Sequence, residues 1–345
     1  MLNLMHVAVH AGINRNAGDI VLVDATRRCF EYFLGPIAWT LHQAWEPFDV
    51  AFANQHDGVV VGGGGMLLLD QEGAHYEASG WQWNSTIEDV KALKVPLIVF
   101  AIGNNRFRGH DYSPSALPHF QAVLSKCLTA GFIGLRERDT GWVHYQPCPT
   151  TCLWQLYPSY RTVHIDGLPQ RIGINVAFDR EALRFPGDTG RCLYDLAVFC
   201  NLLKHDGYDI ALINHKPDDE MFASYFTPQD ISMYQLSSAS TDQILTLYSG
   251  FDLIIGMRSH SQLIPFGLRK RIVSVISHDK LARFLDDIGH PEWGVDVLAP
   301  MFDVGLREAY REASCQRQSI RDVAQEQCWA RTTQNMERIG AILCG

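Results

Sequence analysis

The sequence lacks most of the signatures that would place it in a familiar class of enzyme. Its nine cysteines include no C-x-x-C pair, so zinc and redox motifs of that type are excluded. No apolar run reaches the roughly 18 residues of a membrane-spanning helix, and the N-terminal residues carry no basic segment or cleavage site, so we expect no signal peptide. Neither G-x-S-x-G nor H-E-x-x-H occurs, which excludes the corresponding serine and zinc hydrolases.

Positive charge is also scarce. The chain has 29 Lys and Arg against 38 Asp and Glu, a net charge of −9. A surface of this sign repels a phosphate backbone, so we expect no nucleic-acid partner, whereas a few local arginines could hold a small anion. The cysteines are scattered and odd in number, which is typical of free thiols in a cytoplasmic protein. Only Cys148 and Cys152 approach the spacing of metal ligands, and without a second pair nearby we expect ordinary thiols there and no metal.

Short apolar runs alternate along the chain with segments of helical length, a pattern that predicts α/β structure. Because the runs are continuous, they indicate strands of a parallel sheet that are buried on both faces. In the first half, the predicted strands lie at residues 5–10, 58–61, 97–102 and 132–135. In the second half, they lie at residues 171–176, 209–213, 231–234, 253–256 and 272–276. Helices are predicted at residues 19–34, 86–93, 115–130, 191–206, 218–226, 241–248 and 278–288.

The pattern occurs twice, which predicts two Rossmann-like domains, each with a doubly wound parallel sheet. Prolines and glycines interrupt regular structure in the segment 147–170. We therefore predict an N-terminal domain at residues 1–165 and a C-terminal domain at residues 166–305. Residues 306–345 are polar with regularly spaced apolar positions, which predicts a tail of one or two amphipathic helices.

In the first half, glycine-rich or polar motifs follow the predicted strands at their carboxyl ends, where open α/β sheets bind their ligands. The residues that we single out as candidates are Asn16, Gly18, Asp19, Gly62, Gly63, Gly64, Gly65, Gly103, Asn104 and Arg136. The four consecutive glycines let backbone amides approach a ligand, or they form only a tight turn. Asn16 and Asp19 either cap the following helix or face a ligand. Arg136 is either an ion-pair anchor or a fork for a carboxylate or phosphate.

The second half carries a sharper motif after the strand at 253–256. It combines a guanidinium, hydroxyls and an imidazole at a strand-to-helix junction, in the order Arg258, Ser259, His260 and Ser261. These groups offer an anion clamp, a donor and a proton-transfer group. A structural histidine more often lies within an element than at such a junction, so we favour a functional role. Lys280 follows the next strand and either adds a positive charge to the same crevice or is a solvated lysine at a helix start.

These motifs, in this order over about residues 10–290, resemble the polysaccharide pyruvyl transferase family. The resemblance implies a two-domain GT-B-like fold and transfer of the enolpyruvyl unit of phosphoenolpyruvate to a saccharide, usually as a ketal on two hydroxyls. It further implies that Arg136, Arg258 and His260 are donor-site residues, that phosphoenolpyruvate is a co-substrate, and that no cofactor or metal is needed.

The residues suit that chemistry. Two arginines and helix N-terminal amides can neutralise the carboxylate and phosphate of the donor. Histidine has an unperturbed pKa near 6.5, so His260 is the natural general acid or acid/base for protonating the methylene carbon. We expect the donor in the C-terminal domain and the saccharide acceptor, free or lipid-linked, in the N-terminal domain near residues 16–19 and 62–65. Tyr76, Trp81 and Trp83 could stack on the sugar, or they only pack.

Two other functions stay open. One is a glycosyltransferase of the same architecture with a nucleotide-sugar donor, which thermal stabilisation by nucleotides would reveal. The other is a catalytically silent sugar-binding or assembly protein, because a fold does not fix a function. The joint presence of Arg136, Arg258 and His260 argues against a catalytically inactive protein. We expect a cytoplasmic protein without a transmembrane segment, either free or peripheral at the inner face of the membrane, and the sequence predicts no oligomeric state.

Overall fold

The computed structural model describes residues 1–345 except 11–15, 68–74, 76, 106, 108–115, 137–142, 163–166, 186–188, 228–230 and 316. Strands in the described part are β1 (Leu2–Ala8), β2 (Ile37–Gln43), β3 (Gly58–Leu67), β4 (Leu97–Asn104), β5 (Gly131–Leu135), β6 (His144–Tyr145), β7 (Arg171–Asn175), β8 (Asp209–Asn214), β9 (Ser232–Gln235), β10 (Leu253–Gly256), β11 (Arg271–Ile276) and β12 (Gly294–Asp296). Helices in it are α1 (Ala17–Leu34), α2 (Val50–Ala53), α3 (Ile87–Ala92), α4 (Ala116–Ala130), α5 (Leu153–Leu156), α6 (Glu181–Arg184), α7 (Thr189–His205), α8 (Thr241–Ser249), α9 (His260–Gly267), α10 (Asp279–Asp287), α11 (Phe302–Cys315) and α12 (Gln318–Cys344). Short 3₁₀ helices lie at Pro149–Cys152, Pro158–Tyr160, Pro217–Tyr225 and Pro291–Trp293.

The strands form two parallel six-stranded sheets. The first has the order β2-β1-β3-β4-β5-β6 and the second the order β12-β11-β10-β7-β8-β9. The central strands are buried on both faces: Val59, Val60 and Val61 of β3, for example, have no exposed surface. Removing such runs from water on both sides is the main stabilising contribution to a sheet of this kind. The predicted α/β class, with two doubly wound sheets and a helical C-terminal segment, is confirmed.

Contacts along the chain divide it into two compact units. Unit 1 comprises Met1–Gly12, Leu22–Pro149 and Cys328–Gly345, and unit 2 comprises Ile13–Val21 and Thr150–Gln327. Compactness measures contacts and not independent folding, so the domain limits at 165 and 305 stay a prediction. The first residues of α1 nevertheless group with unit 2, and residues 16–19 are therefore described with that unit below.

The predicted end of the strand at residues 58–61 is wrong. β3 does not stop at Val61 but continues through the four glycines to Leu67, paired with β4. Gly63 has a φ of 70°, and a Cβ there would lie 2.8 Å from Cγ of Leu22 on α1. Glycine is required in this stretch because the helix packs directly on the backbone of a twisted strand. The four glycines are therefore part of the sheet and not a loop beyond it.

Candidate functional site

The first candidate site lies at the carboxyl edge of the second sheet. β7 and β10 are neighbours at its centre, and the strands that follow each of them lie on opposite sides. Open α/β sheets bind ligands at such a switch point. Asn175, the last residue of β7, accepts a hydrogen bond from the backbone N–H of Arg258 at 3.1 Å and donates one to the carbonyl of Ile213 at 2.8 Å. The loop after β10 is therefore fixed to the ends of β7 and β8.

Arg258 is an ion-paired and buried residue in this site. Its Nε and Nη2 donate to the two carboxylate oxygens of Asp219 at 2.8 and 2.6 Å, and Nη1 lies 2.9 Å from Asp179. Burial alone would lower the pKa of Arg258, but the hydrogen bonds and charges of these carboxylates raise it above its ordinary value. All three guanidinium nitrogens thus face protein carboxylates. This geometry holds the loop in place, and direct binding of a donor anion by Arg258 stays a prediction.

Positive charge collects around these carboxylates. Asp179 lies 3.1 Å from Nη2 of Arg184 and 3.5 Å from Nζ of Lys216. Burial would raise the pKa of Asp179, but the surrounding cations hold it far below its usual range. We call the basic cluster the set formed by Arg184, Lys216, Arg258, Lys280, Asp179 and Asp219. Four cations against two carboxylates leave an excess of two positive charges, which suits an anionic ligand.

His260 lies where two helices begin, next to this cluster. It is the first residue of α9, and a Cβ added to Gly18 of α1 would lie 2.5 Å from the Cβ and 2.6 Å from Nδ1 of His260. The N–H of Ala17 donates to the carbonyl of His215 at 3.2 Å, and the N–H of His215 donates to Asp219 at 3.0 Å. The N-termini of α1 and α9 therefore meet at the imidazole. Helix N-termini favour negative charge, so their meeting adds to the attraction for an anion.

The other predicted residues of this edge have local contacts. Asn16 accepts a hydrogen bond from the N–H of Gly18 at 3.0 Å and another from the N–H of Asp19 through its carbonyl, also at 3.0 Å. The hydroxyl of Ser261 donates to the carbonyl of Arg258 at 2.7 Å. Asn16 therefore caps α1, and Ser261 stabilises the first turn of α9. Ser259 differs, because its buried Oγ has no hydrogen-bond partner within the described part of the chain.

Arg136 forms the second candidate site, at the carboxyl edge of the first sheet. Its Nε donates to the carbonyl of Ala101 at 2.8 Å, and Ala101 has a φ of 53° at an irregularity between β4 and β5. A Cβ on Gly103 would lie 3.1 Å from Cδ of Arg136, so the glycine makes room for the arginine. Nη2 of Arg136 is buried without a hydrogen-bond partner among the described residues. An unpaired guanidinium N–H of this kind favours an anion as partner.

Two predicted contacts are not available to a ligand. Trp81 and Trp83 have no exposed surface and pack edge to face at a ring distance of 5.8 Å. The suggestion that they stack on a sugar is therefore wrong, and they belong to the core of unit 1. Tyr76 lies outside the described residues, as do the positions after Arg136 up to residue 142.

Comparison with known families decides the classification. Residues 16–280 of the 345-residue chain match the sequence profile of the polysaccharide pyruvyl transferase family. The chain belongs to this family. Membership confirms the resemblance seen in the motifs and makes the protein a transferase that acts on polysaccharide. When this sequence is compared with the curated proteins, no significant match is found.

Solved structures support the fold of this polysaccharide pyruvyl transferase family member. MnaA from S. aureus, in a co-structure with UDP, superposes with a TM-score of 0.51 at 9% identity and covers 97% of this chain and 92% of its own. A putative UDP-N-acetylglucosamine 2-epimerase from Listeria monocytogenes superposes with a TM-score of 0.50 at 10% identity, with 95% of each chain covered. At these identities the likeness shows the fold alone, which is GT-B-like.

Among the described residues, no group of three or more His, Cys, Asp or Glu side chains is arranged to hold a metal ion. None of the described helices combines the length and apolar character that crossing a membrane requires.

The main groups missed by the sequence reasoning are the acidic partners of Arg258 and two of the cations beside them. Asp219 lies in the 3₁₀ helix after β8, and Lys216 immediately precedes that helix. Both follow a strand at its carboxyl end, which is the signal that could have found them. Asp179 and Arg184 lie beyond the end of β7 in the same way. In a sequence, such residues look like ordinary helix-start and turn residues.

Gly18→Ala is expected to lower turnover by about tenfold or more, because the new methyl group overlaps the His260 ring and moves it. Helix propensity alone favours alanine by roughly 1 kcal/mol, so loss of activity without loss of folding identifies the steric effect. Turnover and thermal unfolding of Gly18→Ala should be compared with Gly340→Ala, a change within α12 whose nearest atom is a flexible Leu34 methyl at 3.1 Å. Equal turnover in both variants would contradict a role for Gly18 in holding His260.

Proposed function

We propose that this member of the polysaccharide pyruvyl transferase family transfers the pyruvyl group of phosphoenolpyruvate to hydroxyls of a saccharide and releases phosphate. The observation that carries the proposal is that His260 lies at the meeting point of two helix N-termini, next to the basic cluster. The excess positive charge of the cluster is local, because the chain as a whole carries a net charge of −9. A neutral glycoside alone would need no such charge, so an anionic donor is favoured.

The donor fits the groups at this edge. Phosphoenolpyruvate has a carboxylate and a phosphate, and both are good acceptors for ammonium, guanidinium and helix N-terminal N–H groups. The α9 N-terminus, the basic cluster and the buried hydroxyl of Ser259 all lie in unit 2. We therefore place the donor there. In unit 1, the buried Nη2 of Arg136, which has no hydrogen-bond partner among the described residues, gives a second anion-binding group at the end of β5.

The reaction requires one proton transfer to carbon. His260 as a general acid protonates the methylene carbon of the donor, which leaves an electron-poor centre at the carbon that bears the phosphate. A saccharide hydroxyl attacks that centre and loses its proton, and phosphate leaves with the bridging oxygen and the electron pair of the broken C–O bond. Departure of phosphate leaves an oxocarbenium ion, which a second saccharide hydroxyl attacks with loss of its proton, so that the product is a ketal. Positive charge at the phosphate stabilises its departure.

The acceptor and the location complete the proposal. We place the saccharide, free or lipid-linked, at unit 1, where β3, β4 and β5 end. Residues 62–65 lie within β3 and not beyond it, so an acceptor would reach the carboxyl end of that strand rather than a glycine loop. A cytoplasmic location is supported by nine free cysteines, as is usual in a reducing compartment. The same compartment would supply phosphoenolpyruvate.

The proposal is tested by incubating the protein with phosphoenolpyruvate and a panel of glycosides. We expect phosphate release that depends on one class of glycoside, together with a mass gain of one pyruvyl unit on that glycoside. A parallel set of reactions uses nucleotide sugars in place of phosphoenolpyruvate. Transfer of a sugar from these donors, with no product from phosphoenolpyruvate, would contradict the proposal and favour the glycosyltransferase alternative.

A further inference from the structure

We propose that Lys216 binds an anionic group of the donor directly, as a cation of the basic cluster whose ammonium group makes a single long contact among the described residues. The inference rests on the proposed function and assigns a binding residue within that site. It follows from a comparison of the three cations that contact Asp179.

The two arginines of this comparison already have a protein partner at each of their guanidinium nitrogens. Arg184 donates through Nε to the carbonyl of Asp179 at 2.8 Å, through Nη2 to its carboxylate at 3.1 Å and through Nη1 to Ser277 at 3.1 Å. Arg258 is held in the same way by Asp219 and Asp179. Their side chains are only 5% and 6% exposed. An external anion that displaced Asp179 or Asp219 from either arginine would leave a buried carboxylate without its ion-pair partner, which is strongly destabilising.

Lys216 differs from the two arginines both in its number of protein partners and in its exposure. Its Nζ makes one long contact, 3.5 Å to Asp179, within the described part of the chain. An ammonium group has three N–H donors, so most of its capacity is unused. The side chain is 16% exposed, about three times as much as either arginine. An anion from solvent can therefore reach this ammonium group.

The backbone of Lys216 is also held in position. Its N–H donates to Asp219 at 3.2 Å, and the same carboxylate oxygen accepts the N–H of His215 at 3.0 Å and Nε of Arg258 at 2.8 Å. Asp219 has no exposed side-chain surface, so these bonds are made in a poorly hydrated environment where they are strong. Asp219 thus positions Lys216 and the loop of His260 relative to each other.

This geometry predicts a role in binding rather than in proton transfer. An ammonium group attracts the donor's carboxylate or phosphate both in the ground state and in the transition state. Its loss is therefore expected to raise KM with little change in kcat. Loss of a group that acts only in the transition state would instead lower kcat.

The test is a calorimetric titration of the full-length protein with phosphoenolpyruvate and, separately, with inorganic phosphate. The proteins are wild type, Lys216→Met, Lys216→Arg and the control Lys91→Met, which removes an exposed lysine of α3. We expect Lys216→Met to weaken binding about tenfold or more, Lys216→Arg to recover part of the loss, and Lys91→Met to match wild type. Thermal unfolding of each variant checks that the fold is kept.

The outcomes separate this inference from the proposed function. Unchanged affinity of a folded Lys216→Met for both anions would overturn the role of Lys216 and leave the proposed function standing. Wild-type binding of phosphate but not of phosphoenolpyruvate, lost in Lys216→Met, would support the anion site and overturn the assigned donor. Wild-type protein that binds neither anion would overturn both.

Discussion

Replacing His260 by alanine is expected to reduce turnover by about 10²-fold or more while most of the affinity for phosphoenolpyruvate is kept. A general acid donates its proton in the transition state, so it stabilises mainly the transition state and not the bound donor. His260 contacts Gly18 at the start of α1 and begins α9, so the fold positions its ring. The measurement is turnover at saturating donor, with donor affinity determined by calorimetry.

The controls address folding and surface effects. His260→Gln keeps the size of a side chain that is 8% exposed but removes the proton donor of the imidazole, so it should be as inactive as His260→Ala. His205→Ala removes a histidine whose side chain is 89% exposed and should leave turnover unchanged. Near wild-type turnover with weakened donor binding in His260→Ala would mean that His260 binds the phosphate and does not transfer the proton.

The second large effect is expected in stability at mildly acidic pH. Three buried histidines have pKa values well below the ordinary value of 6.5: about 3 for His6, about 4 for His119 and about 3 for His215, in each case mainly because of burial. In the unfolded chain these three histidines become protonated near pH 6.5. In the folded protein they stay neutral until the pH reaches 3–4. The unfolded state therefore binds more protons in this window, and stability falls as the pH falls.

The surroundings of these rings explain why the folded state resists protonation. Nδ1 of His119 accepts the indole N–H of Trp81 at 2.9 Å, and Nε2 lies 3.0 Å from the hydroxyl of Ser85. Because an indole nitrogen only donates, Nδ1 must stay unprotonated, and a second proton would set two N–H groups against each other. For His6, Nε2 lies 2.8 Å from the carbonyl of Gly62 and Nδ1 faces Arg27 at 3.4 Å. A charged His6 would therefore be repelled by Arg27.

Urea unfolding measured from pH 7 down to pH 4.5 checks this expectation. Each histidine contributes up to about 1.4 kcal/mol per pH unit below pH 6, so the three together contribute up to about 4 kcal/mol per unit. Over two pH units, the summed loss is comparable to the whole free energy of unfolding of a typical protein. His119→Gln should reduce the slope by roughly a third, whereas His205→Ala should not change it. A stability that stays constant down to pH 4.5 would contradict the buried, neutral state of these residues.

Most of the fold could be predicted because its central strands are continuous apolar runs. The strands β2, β6 and β12 were not predicted, and all three lie at edges of their sheets. Six of the seven residues of β2 are only partly buried, so polar residues such as Thr40 and His42 interrupt the apolar pattern. The end of β3 was misplaced for another reason. Glycine usually marks a turn, but at Gly63 it allows close packing against Leu22 and Thr26 of α1.

The candidate site was only partly predictable for a related reason. The position of Arg258 and His260 after β10 follows from local sequence, because a strand and a helix flank them. The contact of His260 with Gly18 depends on how α1 begins, and no local pattern indicates it. The carboxylates around Arg258 are likewise brought together only by the order of the strands in the sheet. The sequence therefore predicts which groups leave the strands, whereas tertiary structure decides which charges they meet.

The most direct test of the central claim is the reaction of phosphoenolpyruvate with its glycoside acceptor in D₂O. If a general acid protonates the methylene carbon, the product carries one solvent deuterium in the methyl group of its pyruvyl unit. The ketal has no adjacent carbonyl, so this methyl group does not exchange afterwards, and mass spectrometry or NMR of the purified product reports the transfer step. We expect one deuterium per pyruvyl unit, formed together with one phosphate. Phosphate release without a pyruvylated product, or a product whose methyl group contains no deuterium, would contradict this expectation.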